Sequence, residues 1–131
     1  MTQHIIVVDD MPYWLKRMID ELAKLGYDIA SFDSPHDARK FFEEKEESVV
    51  LVVSDNQMII GDRTVPNRGI DLLREIRLVA QSKENVPLIL FTSEASPDQR
   101  QQVKDLGGVV VLKNHSVSGA LFDKAKEVLS L

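Results

Sequence analysis

The stretch VVLVVSDNQM, Val49 to Met58, decides the fold. Five apolar residues run without a break, followed by Ser54, Asp55 and a polar pair. An apolar run of strand length with no alternation fits a strand covered on both faces, as in a parallel sheet. This one ends on a carboxylate, so a segment driven into a core delivers an acid where the chain leaves that core.

Four other runs resemble it: IIVV (Ile5 to Val8), YDIASF (Tyr27 to Phe32), LILF (Leu88 to Phe91) and VVVL (Val109 to Leu112). The Tyr27 run is mixed in polarity and fits an edge strand. Helical text fills each gap. Leu15, Met18, Ile19, Leu22 and Leu25 share one face at three- and four-residue spacing, with Pro12 suited to a first turn and Gly26 to a cap. Ser34-Pro35 with Asp37, and Ser96-Pro97, read as helix starts. Leu73, Ile76 and Ala80 form a third apolar stripe. A last helix, roughly Val117 to Leu129, buries Leu121, Phe122, Ala125 and Val128.

The order is strand then helix, five times over. It implies right-handed crossovers and an α/β fold of five parallel strands, order 2-1-3-4-5, with helices on both faces. Residues 1–131 are read as one domain, since no linker, repeat or low-complexity segment interrupts them.

Composition narrows the function classes. A net charge of -5 argues against direct binding of nucleic acid, whose phosphates call for a basic face. With no cysteine there is neither disulfide nor thiolate metal site. No basic segment precedes a long apolar run at the N-terminus, and no stretch has membrane-spanning length. The expectation is a cytoplasmic protein with no membrane contact.

In doubly wound sheets, ligands sit beyond the carboxyl ends of the strands, where strand order reverses. The residues after each run therefore matter most: Asp9 and Asp10 after the first, Asp55 after the third, Thr92, Ser93 and Glu94 after the fourth, Lys113 after the fifth. In the order 2-1-3-4-5 the first and third strands are neighbours, so the three acids converge. Two carboxylates about 4 Å apart repel by roughly 4 kcal/mol at an effective dielectric of about 20. Either a pKa rises or a cation joins them. Oxygen ligands without His or Cys suit Mg²⁺ or Mn²⁺. His4, His36 and His115 share no ligand spacing and read as structural or exposed.

IIVVDD, VVSDNQM, PLILFTSEAS and the lysine in VVVLKN, taken in order and at their spacing, resemble the receiver domain of two-component response regulators. That family has a flavodoxin-like (βα)5 fold. The resemblance implies that Asp55 accepts a phosphoryl group from a histidine kinase or histidine phosphotransfer protein. It implies that Asp9, Asp10, Asp55 and the backbone carbonyl of Gln57 hold Mg²⁺, that Lys113 pairs with a phosphoryl oxygen, and that the Thr92 hydroxyl bonds another. Gln57, Ser93 and Glu94 fall where such domains modulate the site. The product is a phosphorylation-dependent switch for a downstream protein, as a monomer or a phosphorylation-linked dimer, with no turnover of a metabolite.

Three features depart from the family pattern. IIGDRTVPNR, Ile59 to Arg68, replaces a Pro-Gly and looks about six residues longer than usual before Gly69; it is either a tolerated insertion or a docking or covering loop whose arginines see the phosphorylated state. Lys113 is followed by Asn114 rather than proline, so the bond between them is expected trans. Val110 stands where the family carries an aromatic that turns inward, so an aromatic toggle is not expected.

Blander readings stay beside these. Asp10 can cap the helix that begins near Pro12, and Trp14 can be plain helix packing. Two other functions compete. A small Mg²⁺-dependent phosphatase would want a second acid two residues after its nucleophile, where this chain has Gln57. A binding module that kept the fold and lost the switch is the other. The chain ends soon after its last helix, leaving a stand-alone regulator or a piece of a longer protein.

Overall fold

The computed structural model describes residues 2–114 and 118–130. Its elements are β1 (His4–Val8), α1 (Pro12–Ala23), β2 (Asp28–Phe32), α2 (Pro35–Lys45), β3 (Val49–Ser54), β4 (Met58–Ile60), β5 (Arg63–Val65), α3 (Arg68–Val79), β6 (Leu88–Thr92), α4 (Pro97–Asp105), β7 (Gly108–Leu112) and α5 (Ala120–Val128), with a short 3-10 turn before β3. Val117, expected at the start of the last helix, and His115 lie outside the described residues.

Five strands form one parallel sheet in the order β2-β1-β3-β6-β7. That is the expected order 2-1-3-4-5, with β2 on an edge as its mixed polarity suggested. The labels shift because β4 and β5, within the segment expected as a long loop, make a separate antiparallel hairpin.

The strands are apolar throughout because both faces are covered. Alternate residues serve alternate cores: Ile6, Val8, Val52, Leu88 and Leu90 pack with Phe42 of α2, Ile70, Leu73 and Ile76 of α3, and Val103 of α4. Ile5, Val7, Leu51, Val53, Ile89 and Phe91 face the other way, onto Trp14, Met18 and Leu22 of α1 and Leu121 and Ala125 of α5. Each fully buried large aliphatic contributes about 1.5–3 kcal/mol relative to exposure.

Caps fix where the helices begin. Ser34 Oγ accepts from the Asp37 N–H, and Ser96 forms a full capping box with Gln99. Pro12, Pro35 and Pro97 each open a helix. The N-cap of α1 is Met11, not Asp10, and makes no side-chain cap bond. The start of α5 is instead closed from across the sheet face, where Glu21 of α1 accepts hydrogen bonds from the N–H groups of Gly119 (3.0 Å) and Phe122 (3.2 Å). No cis peptide bond occurs among the described residues, so Lys113–Asn114 is trans. No helix among them is long and apolar enough to cross a membrane.

Candidate functional site

Parallel pairing carries β1 and β3 upward in register, with Val8 opposite Ser54. Each chain then makes one more backbone bond before leaving the sheet: the Asp55 N–H donates to Val8 O (2.9 Å), and the Asp9 N–H to Phe32 O (3.2 Å). At the other side the Lys113 N–H donates to Thr92 O (2.8 Å). The functional side chains are thus set by backbone still hydrogen-bonded like a strand.

The three acids meet. One carboxylate oxygen from each of Asp9, Asp10 and Asp55 lies within 4.8 Å of the others. Lys113 Nζ reaches across to Asp9 Oδ2 at 2.9 Å and Asp55 Oδ1 at 3.1 Å, with all three side chains nearly inaccessible. Burial raises the Asp9 pKa above its ordinary value despite the lysine's hydrogen bond and charge. Burial first, and then the charge of Asp9, push Asp55 up to about 6, against the opposing pull of Lys113.

Two of the three carboxylates share one ammonium and Asp10 stands beside them, so the cluster has negative charge to spare. The donor set is all hard oxygen. Its spread is near the roughly 4.2 Å that separates opposite oxygens around Mg²⁺ with bonds of about 2.1 Å. The residues fit a divalent ion of that kind.

The remaining candidates line one cleft with Asp10, Asp55 and Lys113: Gln57, Thr92, Ser93 and Glu94 all border it. Thr92 is buried, and its hydroxyl donates to Glu94 O at 3.3 Å. Ser93 and Glu94 are exposed. Val110 is not part of the cleft; it is half-buried against the core beneath α2, α3 and α4.

Trp14 packs as expected and also borders the site. It is 4% exposed and packs in the α1/α5 core, meeting Phe91 edge to face at 5.8 Å between ring centres. It also lines the cleft, with Lys113 Nζ 5.0 Å from its ring centre and the Arg17 guanidinium 4.8 Å from it. Arg17 donates in turn to Asn114 O at 3.0 Å, tying α1 to the residue after Lys113.

The long segment after Met58 is ordered. Ile60 pairs with Arg63 across a two-residue Gly61-Asp62 turn, and Gly61 has φ 67°, the positive value that the first position of such a turn requires. Ile59, Thr64, Pro66 and Asn67 form a wall of the cleft. The arginines do not: Arg63 is exposed on the hairpin, and Arg68 pairs with Glu75 at 3.0 Å, beside Arg39.

Several supporting residues escaped the sequence reading. Buried Asn56 accepts from the Ile70 N–H (3.2 Å) and donates to Asn67 Oδ1 (3.3 Å), which also receives Gln99 Nε2 (2.7 Å). The Ile59 N–H donates to Asp10 Oδ2 at 2.8 Å. A Cβ placed on Gly69 would lie 1.8 Å from Asp55 O. The hairpin had a signal in the text, a Gly-Asp pair between two triplets rich in β-branched residues. The polar bridges had none, because their partners lie far apart in sequence.

Among solved structures, the fold is similar to Vibrio cholerae chemotaxis protein CheY4, at 19% identity and TM-score 0.78, covering 98% of this chain and 99% of that one. It is similar to a CheY-like receiver domain protein from Methanospirillum hungatei, at 18% identity and TM-score 0.79, covering 99% and 95%. It is also similar to a chain of the CheX-CheY-BeF3-Mg complex from Borrelia burgdorferi, at 16% identity and TM-score 0.79, covering 96% and 88%. No curated protein matches the chain. At these identities the likeness establishes the fold. The family model for the response regulator receiver domain matches residues 5–125, and the chain belongs to that family.

Proposed function

We propose that the chain is a phosphoacceptor switch, phosphorylated on Asp55 in a divalent-metal-dependent reaction and acting in the cytoplasm. The observation that carries this is the meeting of Asp55 with Asp9, Asp10 and Lys113, with Asp10, Asp55 and Lys113 lining one cleft. A structural ion pair would need one acid for the lysine, not three.

Phosphoryl transfer asks mainly for positioning and charge neutralisation. β3 holds the Asp55 carboxylate at the end of a buried strand. Its oxygen forms the O–P bond while the P–N bond of a donor phosphohistidine breaks. The departing imidazole keeps that electron pair and leaves neutral, its other nitrogen carrying the proton. Mg²⁺ or Mn²⁺, held by Asp9, Asp10, Asp55 and the Gln57 carbonyl, would neutralise charge on the transferring oxygens. Lys113 exchanges its contact with Asp55 for a phosphoryl oxygen. Thr92 turns its hydroxyl from Glu94 O to another, drawing the β6–α4 connection inward. Ligand-dependent bonds of this kind bias one of two loop states. Val110 has no ring to follow that motion, so the signal leaves through Thr92 and α4.

The donor is a histidine kinase or histidine phosphotransfer protein, and the output is binding to a further protein. Gln57, Ser93 and Glu94 on the rim set the rate of dephosphorylation.

Incubation with MgCl2 and acetyl phosphate tests the reading. A hydroxylamine-labile phosphate is expected on wild type and absent from Asp55→Asn. An unlabelled wild type, with beryllofluoride also failing to bind, overturns it in favour of a binding module without the switch.

A further inference from the structure

Among the elements around the cleft, the β4–β5 hairpin reaches its machinery by a backbone bond. Ile59 stands opposite Thr64, one pair before the Ile60–Arg63 pair that closes the turn. In a two-residue hairpin the closing pair exchanges its hydrogen bonds and the next pair does not. The Ile59 N–H therefore points out of the hairpin, and it donates to Asp10 Oδ2 at 2.8 Å.

Asp10 has few other restraints. It does not cap α1, and the N–H of Met11 goes to Asp9 Oδ1 at 3.0 Å. Among the described residues, the bond from Ile59 is the one hydrogen bond its carboxylate receives. The hairpin itself is held at its far end, where Asn67 Oδ1 accepts from Asn56 Nδ2 at 3.3 Å and from Gln99 Nε2 at 2.7 Å. Asn67 sits there at φ 61°, in the left-handed region that asparagine tolerates.

We propose that the hairpin is a positioning element for the divalent-metal site, with the Ile59 N–H orienting the Asp10 carboxylate and the Asn67 bridge keeping the hairpin in place. With one carboxylate oxygen held by the hairpin, the carboxylate keeps a fixed orientation beside Asp9 and Asp55. Hydrogen bonds that orient ligating groups typically govern metal affinity by 10- to 100-fold. The proposal rests on the reading that the acid cluster binds such an ion. It goes beyond that reading in giving the extra segment a physical task.

Calorimetric titration of the full chain with MgCl2 tests it. Wild type and Ile59→Ala, which keeps the N–H, are expected to bind alike. Ile59→Pro, which removes that donor, is expected to bind roughly tenfold more weakly. If wild type takes up no Mg²⁺ at millimolar concentration, the reading of the acid cluster fails and this proposal with it. If wild type binds and Ile59→Pro binds equally well, only the positioning role is overturned. Should Ile59→Pro not fold, Asn67→Gly decides: it preserves the backbone conformation and frees the far end. A severalfold loss of affinity supports the proposal, and unchanged affinity overturns it.

Discussion

At the scale of single residues, Gly69 shows how tightly the acceptor's backbone is held. Its N–H donates to Asn56 O at 2.8 Å, and its Cα faces the Asp55 carbonyl so closely that no Cβ fits. Gly69→Ala is therefore expected to move the start of α3 or the Asp55–Asn56 backbone, costing about 1–3 kcal/mol as overpacking usually does. Urea unfolding measures that cost, and phosphorylation by acetyl phosphate should slow in parallel. Unchanged stability would mean that α3 shifts freely against β3. In the sequence Gly69 stands out only as the glycine that follows the long segment, but its reason is a contact with residues 55 and 56, which local spacing does not encode. Asp9, Asp10, Asp55, Thr92 and Lys113 were legible because each stands within two residues of the end of an apolar run. Asn56 and Asn67 were not, since a polar residue between a strand and a helix reads as ordinary loop until its partner is known.

At the scale of elements, the five parallel strands and five helices were legible from periodicity, caps and prolines. The hairpin carried only a turn signal, its Gly61-Asp62 pair. Three-residue strands are too short for an alternation signal, and their tie to Asp10 spans 49 residues of sequence. α5 illustrates a second blind spot. Its start has no side-chain cap of its own and is satisfied by Glu21 from α1. An acid near the end of an amphipathic helix looks like a solvent-facing residue, yet this one is 7% exposed. Glu21→Ala is expected to lower stability by about 1–2 kcal/mol, the scale of a lost helix cap. Hydrogen exchange should locate the loss in the first turn of α5. Unaltered protection there would show the cap to be dispensable.

At the scale of the molecule, two cores pin the sheet from both sides, and the acid cluster is strain placed at its rim. Burial raises the pKa values of Asp9 and Asp55 in the folded chain, the latter to about 6 from 3.8. A raised carboxyl pKa contributes stability that is fully present below about 3.8 and is lost as pH rises through about 6. Ionised at neutral pH without metal, Asp55 costs on the order of 3 kcal/mol. Asp55→Asn should therefore raise the Tm of the metal-free chain at pH 7.5 by several degrees and flatten its decline between pH 4 and 6. Mg²⁺ should raise the wild-type Tm at pH 7.5 and do so less at pH 5, where protons compete for the same oxygens. A Tm in EDTA that is indifferent to Asp55→Asn would remove the electrostatic account. This strain was foreseeable in kind from three converging acids. Its division among them was not, because it depends on which oxygens Lys113 reaches.

Trp14 gives the chain a built-in optical gauge. It is the sole tryptophan, and its indole lies against the ammonium that bridges Asp9 and Asp55. Any chemistry that draws Lys113 toward a phosphoryl oxygen alters the field at that ring. Intrinsic fluorescence should change when beryllofluoride and Mg²⁺ are added, and the change should vanish in Asp55→Asn, so the state of the acceptor can be followed in real time without a dye.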